Sequence, residues 1–309
     1  MIGLLALLAL ATGSIYFFIP SNLLVTAVTP VLSNYTSTVE FVASDDRWQK
    51  WWPGKLEEHQ GKFIGTFKDV HYEIASKSYN NTSLLLIRNN DTTKANLAIA
   101  GFYHDSIKVI CQFMFQGSMN PITRVKQYNK AVYLKENIHG LINSLKSFLE
   151  KPENIYGFKV ISTMVKDTVL MSTKTIFNHY PSTQEIYTMV NTLKKHISEN
   201  GGIETNVPML NVTKESDVNY KTMVAIPVNH SLPISNTIAL KRMVVGRILE
   251  SDSIKGGKAT IDHSFKMFEK YFSDFKHTSP AIPFESLITD RVKETDTTKW
   301  ITRFYYPIF

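Results

Sequence analysis

Residues 207–228, VPMLNVTKESDVNYKTMVAIPV, and residues 282–309, IPFESLITDRVKETDTTKWITRFYYPIF, follow one plan. Each opens on an apolar-Pro pair (Val207-Pro208, Ile282-Pro283). Each continues through a strand-like run and a charged hairpin to a closing strand that ends apolar-Pro-apolar (Ile226-Pro227-Val228, Tyr306-Pro307-Ile308). The opening prolines lie 75 residues apart and the closing prolines 80 apart. An amphipathic helix precedes each copy, and another strand-like segment precedes each helix. Two copies of a β-α-β-β unit are too few for a solenoid; they predict a pseudo-symmetric domain with a groove where the halves meet.

The helices of this half are legible on their own. Ser182-Thr183-Gln184-Glu185 is a capping box, followed by a stripe of Ile186, Met189, Val190, Leu193 and Ile197, with Gly201 just past the end. A second helix is expected from Thr260 as N-cap, with Ile261, Phe265, Phe268, Phe272 and Phe275 on one face. These faces must cover a sheet.

The N-terminus carries a different signal. Ile2–Ile19 is uncharged and rich in Leu, Ala, Ile and Phe. Eighteen residues give roughly 27 Å of helix, about the thickness of a bilayer core. The run is expected to be an uncleaved single-pass anchor, with residues 1–20 in the membrane and the following domains outside the cytoplasm. A cleaved signal peptide and a buried helix are the alternatives.

Residues 22–150 form a first domain by pattern. A Val- and Thr-rich strand over Leu23–Leu32 leads to a short helix at Asp45–Trp52, ended by Pro53-Gly54. Strand-like runs follow at Lys62–Phe67, His71–Ser78, Ser83–Arg88, Lys94–Phe102 and Ser106–Gln116, with turns at Asn80-Asn81, Asn89-Asn90-Asp91 and His104-Asp105. A long helix over Arg124–Glu150 closes the domain, with Leu134, Ile138, Leu141, Leu145 and Leu149 on one stripe.

Composition excludes more than it identifies. Of 309 residues, 43% are hydrophobic and 20% charged, enough to bury ordinary cores in about two domains. The net charge of +7 is spread among acids and bases, so no nucleic-acid partner is expected. The single Cys111 reads as a buried thiol. Nine scattered histidines make no metal-ligand spacing, Gly256-Gly257-Lys258 is not a phosphate loop, and neither cofactor nor metal is expected.

The order strand, short helix, five antiparallel strands and closing helix, with the Trp48…Trp51-Trp52-Pro53 cluster, resembles the helix-grip START-like (SRPBCC) domains. That resemblance implies a curved sheet on a helix, often around an apolar cavity. The tryptophans then either cap the core or rim the mouth of such a cavity. Residues 156–309 resemble the GyrI-like effector-binding domains, on the closing strands Thr222-Met223-Val224-Ala225-Ile226-Pro227-Val228 and Thr302-Arg303-Phe304-Tyr305-Tyr306-Pro307-Ile308. The overall class implied is α+β: an anchor, a START-like domain, then a duplicated domain on an antiparallel sheet.

The second resemblance implies that cationic or amphipathic small molecules bind between the repeats and meet a buried Glu in the closing strand. Here the matching positions are Arg303 and Met223. Strand alternation sets Ile301, Arg303 and Tyr305 on one face, and Lys221, Met223 and Ala225 on one face. Arg303, Tyr305, Met223 and Lys221, with Tyr187 at the edge of the facing helix, are the expected ligand-binding residues. Arg303 and Lys221 favour a neutral or anionic amphiphile; the alternative is an Arg303 turned to solvent or paired to an acid such as Glu285. The expected function is non-enzymatic, membrane-anchored binding or sensing of a small hydrophobic or amphipathic molecule. Hydrolysis of a reactive small molecule, and a structural or protein-binding role in the cell envelope, are the other readings.

Overall fold

The computed structural model describes residues 2–59, 62–101, 103 and 105–309. Phe102 and His104, placed by the sequence at a strand end and in a turn, lie outside the described residues. The chain divides into two compact units, Met1–Lys151 and Pro152–Phe309. Both are mixed α+β with antiparallel sheets.

The first unit runs α1 (Ile2–Phe18), β1 (Asn22–Val31), α2 (Tyr35–Ala43), a 3-10 turn (Asp45–Lys50), β2 (Lys55–His59), β3 (Lys62–Phe67), β4 (Val70–Lys77), β5 (Asn81–Arg88), β6 (Asp91–Gly101), β7 (Ile107–Gln116) and α3 (Pro121–Leu149). Its seven strands order as β1-β7-β6-β5-β4-β3-β2. Asn89 and Asn90 both take positive φ, so β5 and β6 meet in a two-residue turn whose hand matches the sheet twist. The α3 stripe of Leu134, Ile138, Leu141, Leu145 and Leu149 is buried as its spacing requires.

Two elements escape the sequence pattern. Helix α2 is rich in β-branched residues, and its start rests on Asn34, whose side chain accepts from Ser37 N at 2.8 Å. Strand β2, Lys-Leu-Glu-Glu-His, is almost wholly exposed and carries no alternation to read. Of the three tryptophans, Trp48 and Trp51 are buried and Trp52 is half-buried. Trp48 and Trp52 stack at 4.8 Å, Trp52 meets Tyr72 edge-on, and each indole N–H donates to a backbone carbonyl, of Val42, Phe41 and Thr66 in turn.

The expected membrane anchor is overturned. Among the described residues no helix is long and apolar enough to cross a membrane. Helix α1 has 17 residues, roughly 26 Å at 1.5 Å per residue, against a hydrocarbon core of about 30 Å. The apolar run's last turn is used elsewhere. Ile19 is buried with Leu23 and Ala131, with Ile15 packed against them. Arg124 donates to the Ile19 carbonyl at 2.8 Å and lies over the Tyr16 ring. The single-pass membrane partner and the extracytoplasmic placement that depended on the anchor are withdrawn with it.

The second unit contains α4 (Pro152–Tyr156), β8 (Val160–Met164), β9 (Val169–Phe177), α5 (Thr183–Glu199), β10 (Met209–Lys214), β11 (Tyr220–Pro227), β12 (Ala239–Arg242), β13 (Arg247–Ser251), β14 (Ile254–Lys255), α6 (Lys258–Asp274), β15 (Phe284–Leu287), a 3-10 turn (Thr297–Lys299) and β16 (Ile301–Ile308). The sheet order is β12-β9-β11-β10-β15-β16-β13-β8, with β14 beside β16. Read from either end, the order repeats itself. Met209 opposite Ala225 corresponds to Phe284 opposite Tyr305, 75 and 80 residues on, the same offsets that the prolines show. Leading strands β8 and β12 each pair with the first strand of the other half, β13 and β9.

The halves meet at β10 and β15, where Leu210 lies opposite Glu285. Helices α5 and α6 cover one sheet face, each over its own core: Leu193 of α5 with Val224 of the sheet, and Phe268 of α6 with Phe304. Helix α6 starts earlier than Thr260. Gly257 is the N-cap, its backbone is extended there, and no side chain caps the helix.

Candidate functional site

The symmetric junction places its most unusual residue by alternation alone. In β15, Phe284 and Ser286 face away from the helices, whereas Glu285 and Leu287 face toward them. Glu285 thus stands on the helix side of the sheet, opposite Leu210 and beside Phe304. Above it lies a cleft of about 320 Å³, walled by the first turns of α5 and α6 and by Tyr180, Arg291 and Trp300.

Glu285 and Arg291 are both largely buried, with side chains 14% and 9% exposed, and pair at 3.4 Å. The same Arg291 Nη2 donates to Thr302 Oγ1 at 2.8 Å, and the guanidinium lies 5.0 Å from the Trp300 ring. Burial pushes the Glu285 carboxyl up, and the neighbouring Arg291 charge opposes this only in part. Tyr180 lines the cleft beside Lys258, whose ammonium lies 3.4 Å from the ring centroid and 2.7 Å from Asp262. Burial, then the Glu285 charge, pushes the Tyr180 phenol up, so it stays a neutral hydroxyl. Two acids and two bases cancel across the cleft. The rest of its walls are Tyr180, Trp300, Pro181, Ile186 and Ile261 with the hydroxyl residues Ser182 and Thr183, which suits a small apolar body with a polar head.

The expected site residues divide between the two faces of the sheet. Arg303 and Tyr305 come together on the helix-free face, in a second cleft of about 420 Å³ that also holds Met209, Phe284 and Glu250. Arg303 Nη1 and the Tyr305 hydroxyl both donate to Glu250 Oε1, at 2.8 and 3.0 Å, and Arg303 Nε donates to Ser253. The Phe284 and Tyr305 rings stack 5.1 Å apart. Burial, then the Glu250 charge, pushes the Tyr305 phenol up to about 12. The partner of Arg303 is Glu250, not Glu285, because Glu285 points through the opposite face.

Lys221 and Met223 line neither cleft. Lys221 pairs with Glu215 at 2.9 Å, and Met223 sits between Asn211 and Lys174 in the sheet. Tyr187 lies on the helix side. Its hydroxyl donates to the Thr289 carbonyl at 3.1 Å and accepts from Arg291 N at 2.8 Å, which fixes the loop that carries Arg291.

Glu285, Arg291 and Trp300 were not among the expected site residues. A signal for them existed in the spacing: the closing prolines are five residues further apart than the opening ones, so the second hairpin is longer, and Arg291 and Trp300 fall within it. Among the described residues no cluster of His, Cys, Asp or Glu could hold a metal ion. Cys111 is buried, which pushes its thiol up to about 12 and keeps it from acting as a thiolate.

No protein-family model matches the chain, and no curated protein is similar to it at a significant level. Solved structures that resemble parts of it include the EcmrR C-terminal domain, SAV2435 and a START superfamily protein. The EcmrR C-terminal domain shares 14% identity at a TM-score of 0.42, covering 49% of this chain and 98% of that one. SAV2435 bound to tetraphenylphosphonium shares 11% identity at a TM-score of 0.34, covering 49% and 94%. A START superfamily protein from Mycobacterium smegmatis shares 10% identity at a TM-score of 0.27, covering 40% and 98%.

Proposed function

We propose that this protein binds or senses a small amphipathic molecule, and that the cleft between the first turns of α5 and α6 is where it does so. The carrying observation is the buried Glu285–Arg291 pair, set on the junction of two repeats under aromatic walls. Burying two charges is costly, and apolar residues of similar volume would serve stability as well or better. Leu210 shows what stability alone asks for at the corresponding position. An ionic group kept there, at the base of an open cleft, is explained by a ligand. The resemblance of the closing strands to GyrI-like effector-binding domains supports the same reading, with a START-like unit ahead of it. Binding rather than turnover is the better reading, because a guanidinium already engages the Glu285 carboxylate.

The test is calorimetric titration of the full chain with 2-naphthamide, a neutral bicyclic probe with a polar head. Wild type is expected to bind it. Thr183→Trp, which fills the cleft from the α5 wall, is expected to abolish binding without loss of fold by circular dichroism. No binding by wild type, or binding untouched by Thr183→Trp, rejects the assignment.

A further inference from the structure

Arg291 offers the cleft more donors than the cleft's own acceptors use. A guanidinium has five N–H groups in a rigid fork and no acceptor. Nη2 serves both Glu285 and Thr302. Nε is buried and has no hydrogen-bond partner among the described residues. A buried unpaired donor costs free energy that an arriving acceptor recovers.

Two further features have the same sign. Helix α6 begins at Gly257 with no side chain on its opening amides, and its first turn, Lys258 to Asp262, walls the cleft. Uncapped amides at a helix start favour negative charge. Lys258 stands at that turn. Against these stand two carboxylates, each already engaged: Glu285 by Arg291 and Asp262 by Lys258. An organic cation entering here would have to displace Arg291 from Glu285. A carboxylate meets a guanidinium that lines the cleft and still has an unpaired donor.

We propose that the cleft selects small aromatic molecules bearing one planar carboxylate, bound to the guanidinium of Arg291, and discriminates against organic cations of the same shape. This rests on the reading of the cleft as the binding site and adds the sign of the ligand's charge.

The test compares 2-naphthoate, 2-naphthamide and 2-naphthamidine, which share one ring system and a planar head and differ in charge. With the full chain at neutral pH, 2-naphthoate is expected to bind about ten-fold more tightly than 2-naphthamidine, the scale of one charge-assisted hydrogen bond, with 2-naphthamide between them. Arg291→Gln should erase that order. Glu285→Gln keeps Arg291, removes the competing carboxylate, and should tighten 2-naphthoate further. It carries the test if Arg291→Gln does not fold. Equal or tighter binding of 2-naphthamidine by wild type, or 2-naphthoate binding that Glu285→Gln leaves unchanged or weakens, overturns the proposal. Should 2-naphthamide still bind and be lost in Thr183→Trp, the site stands and only its charge selectivity fails. Should none of the three probes bind, both fall.

Discussion

The first repeat of the second unit crosses from β10 to β11 in five residues, 215–219, while the second repeat takes thirteen, 288–300, between β15 and β16. Beneath the short hairpin the junction residue is Leu210, part of the α5 core; beneath the long one it is Glu285, covered by Arg291. The cores around them stayed equivalent. Leu193 on α5 and Phe268 on α6 are 75 residues apart and both fully buried. Duplicated packing tolerates exchange of one apolar side chain for another, because burial is non-directional. A buried charge needs a partner delivered to within a few ångströms, and here the longer loop delivers Arg291.

The largest effect expected from this comparison lies in the part the halves share. Phe268 meets the rings of Phe158, Phe304 and Tyr306. Phe268→Ala should cost about 4 kcal/mol and Leu193→Ala about 3 kcal/mol, the range of large-to-small core changes. Urea unfolding of both variants measures this. A cost under about 1 kcal/mol for either would mean that the two cores are not equivalent.

The next effect lies where the halves differ. Arg291→Leu strands a buried carboxylate and should cost about 3 kcal/mol at pH 8. The double variant Glu285→Leu with Arg291→Leu gives the second half the chemistry of Leu210, and should return to within about 1 kcal/mol of wild type. Additive costs in this double-mutant cycle would show that the two side chains are not a coupled pair.

The same pair has a pH signature. Burial raises the Glu285 pKa above its ordinary 4.5 in the folded state. A raised folded pKa means the native state holds the proton more tightly. Its contribution is therefore fully present below pH 4.5 and is lost as pH rises through the folded value. The double leucine variant lacks this group, so its stability should gain on wild type as pH rises from 4.5 toward neutrality. An unchanged difference across that range would place Glu285 in solvent.

Most of the fold was legible because its signals are local. The capping box at Ser182, the α3 and α5 stripes and the Asn89-Asn90 turn each act within a few residues of themselves. Helix α2 was not, since its β-branched residues mask a start that depends on Asn34. The site was legible only in part. Alternation correctly set Arg303 and Tyr305 on one face, yet alternation within one strand does not say which face the helices cover. That depends on Thr302 and Phe304 packing beneath α6, a long-range fact. The resemblance pointed to an acid in the closing strand, where there is none; the buried acid Glu285 stands in its neighbour, β15. The membrane reading failed because an apolar run carries the same composition whether it meets lipid or, as Ile15 and Ile19 do, a helix of its own unit.

The smallest effect compares how the two helices begin. Ser182 and Glu185 close a reciprocal cap on α5: Glu185 N donates to Ser182 Oγ at 3.3 Å, and Ser182 N donates to the Glu185 carboxylate at 2.7 Å. Helix α6 begins at a glycine with no such bond. Ser182→Ala should cost about 1 kcal/mol and Ser182→Gly only a few tenths, since glycine leaves the opening amides open to water. Glycine at 182 therefore makes α5 start as α6 does, at little loss. The cap also has a sign in pH. The Ser182 amide, and then its hydroxyl, hold the Glu185 carboxyl below 4.5, so the stability it lends is present above 4.5 and lost as pH falls through the lower folded value. Wild type should accordingly lead Ser182→Ala by most at neutral pH and by less in acid, read from thermal melts at both. A lead that grows in acid would mean that the carboxylate of Glu185 plays no part in the cap.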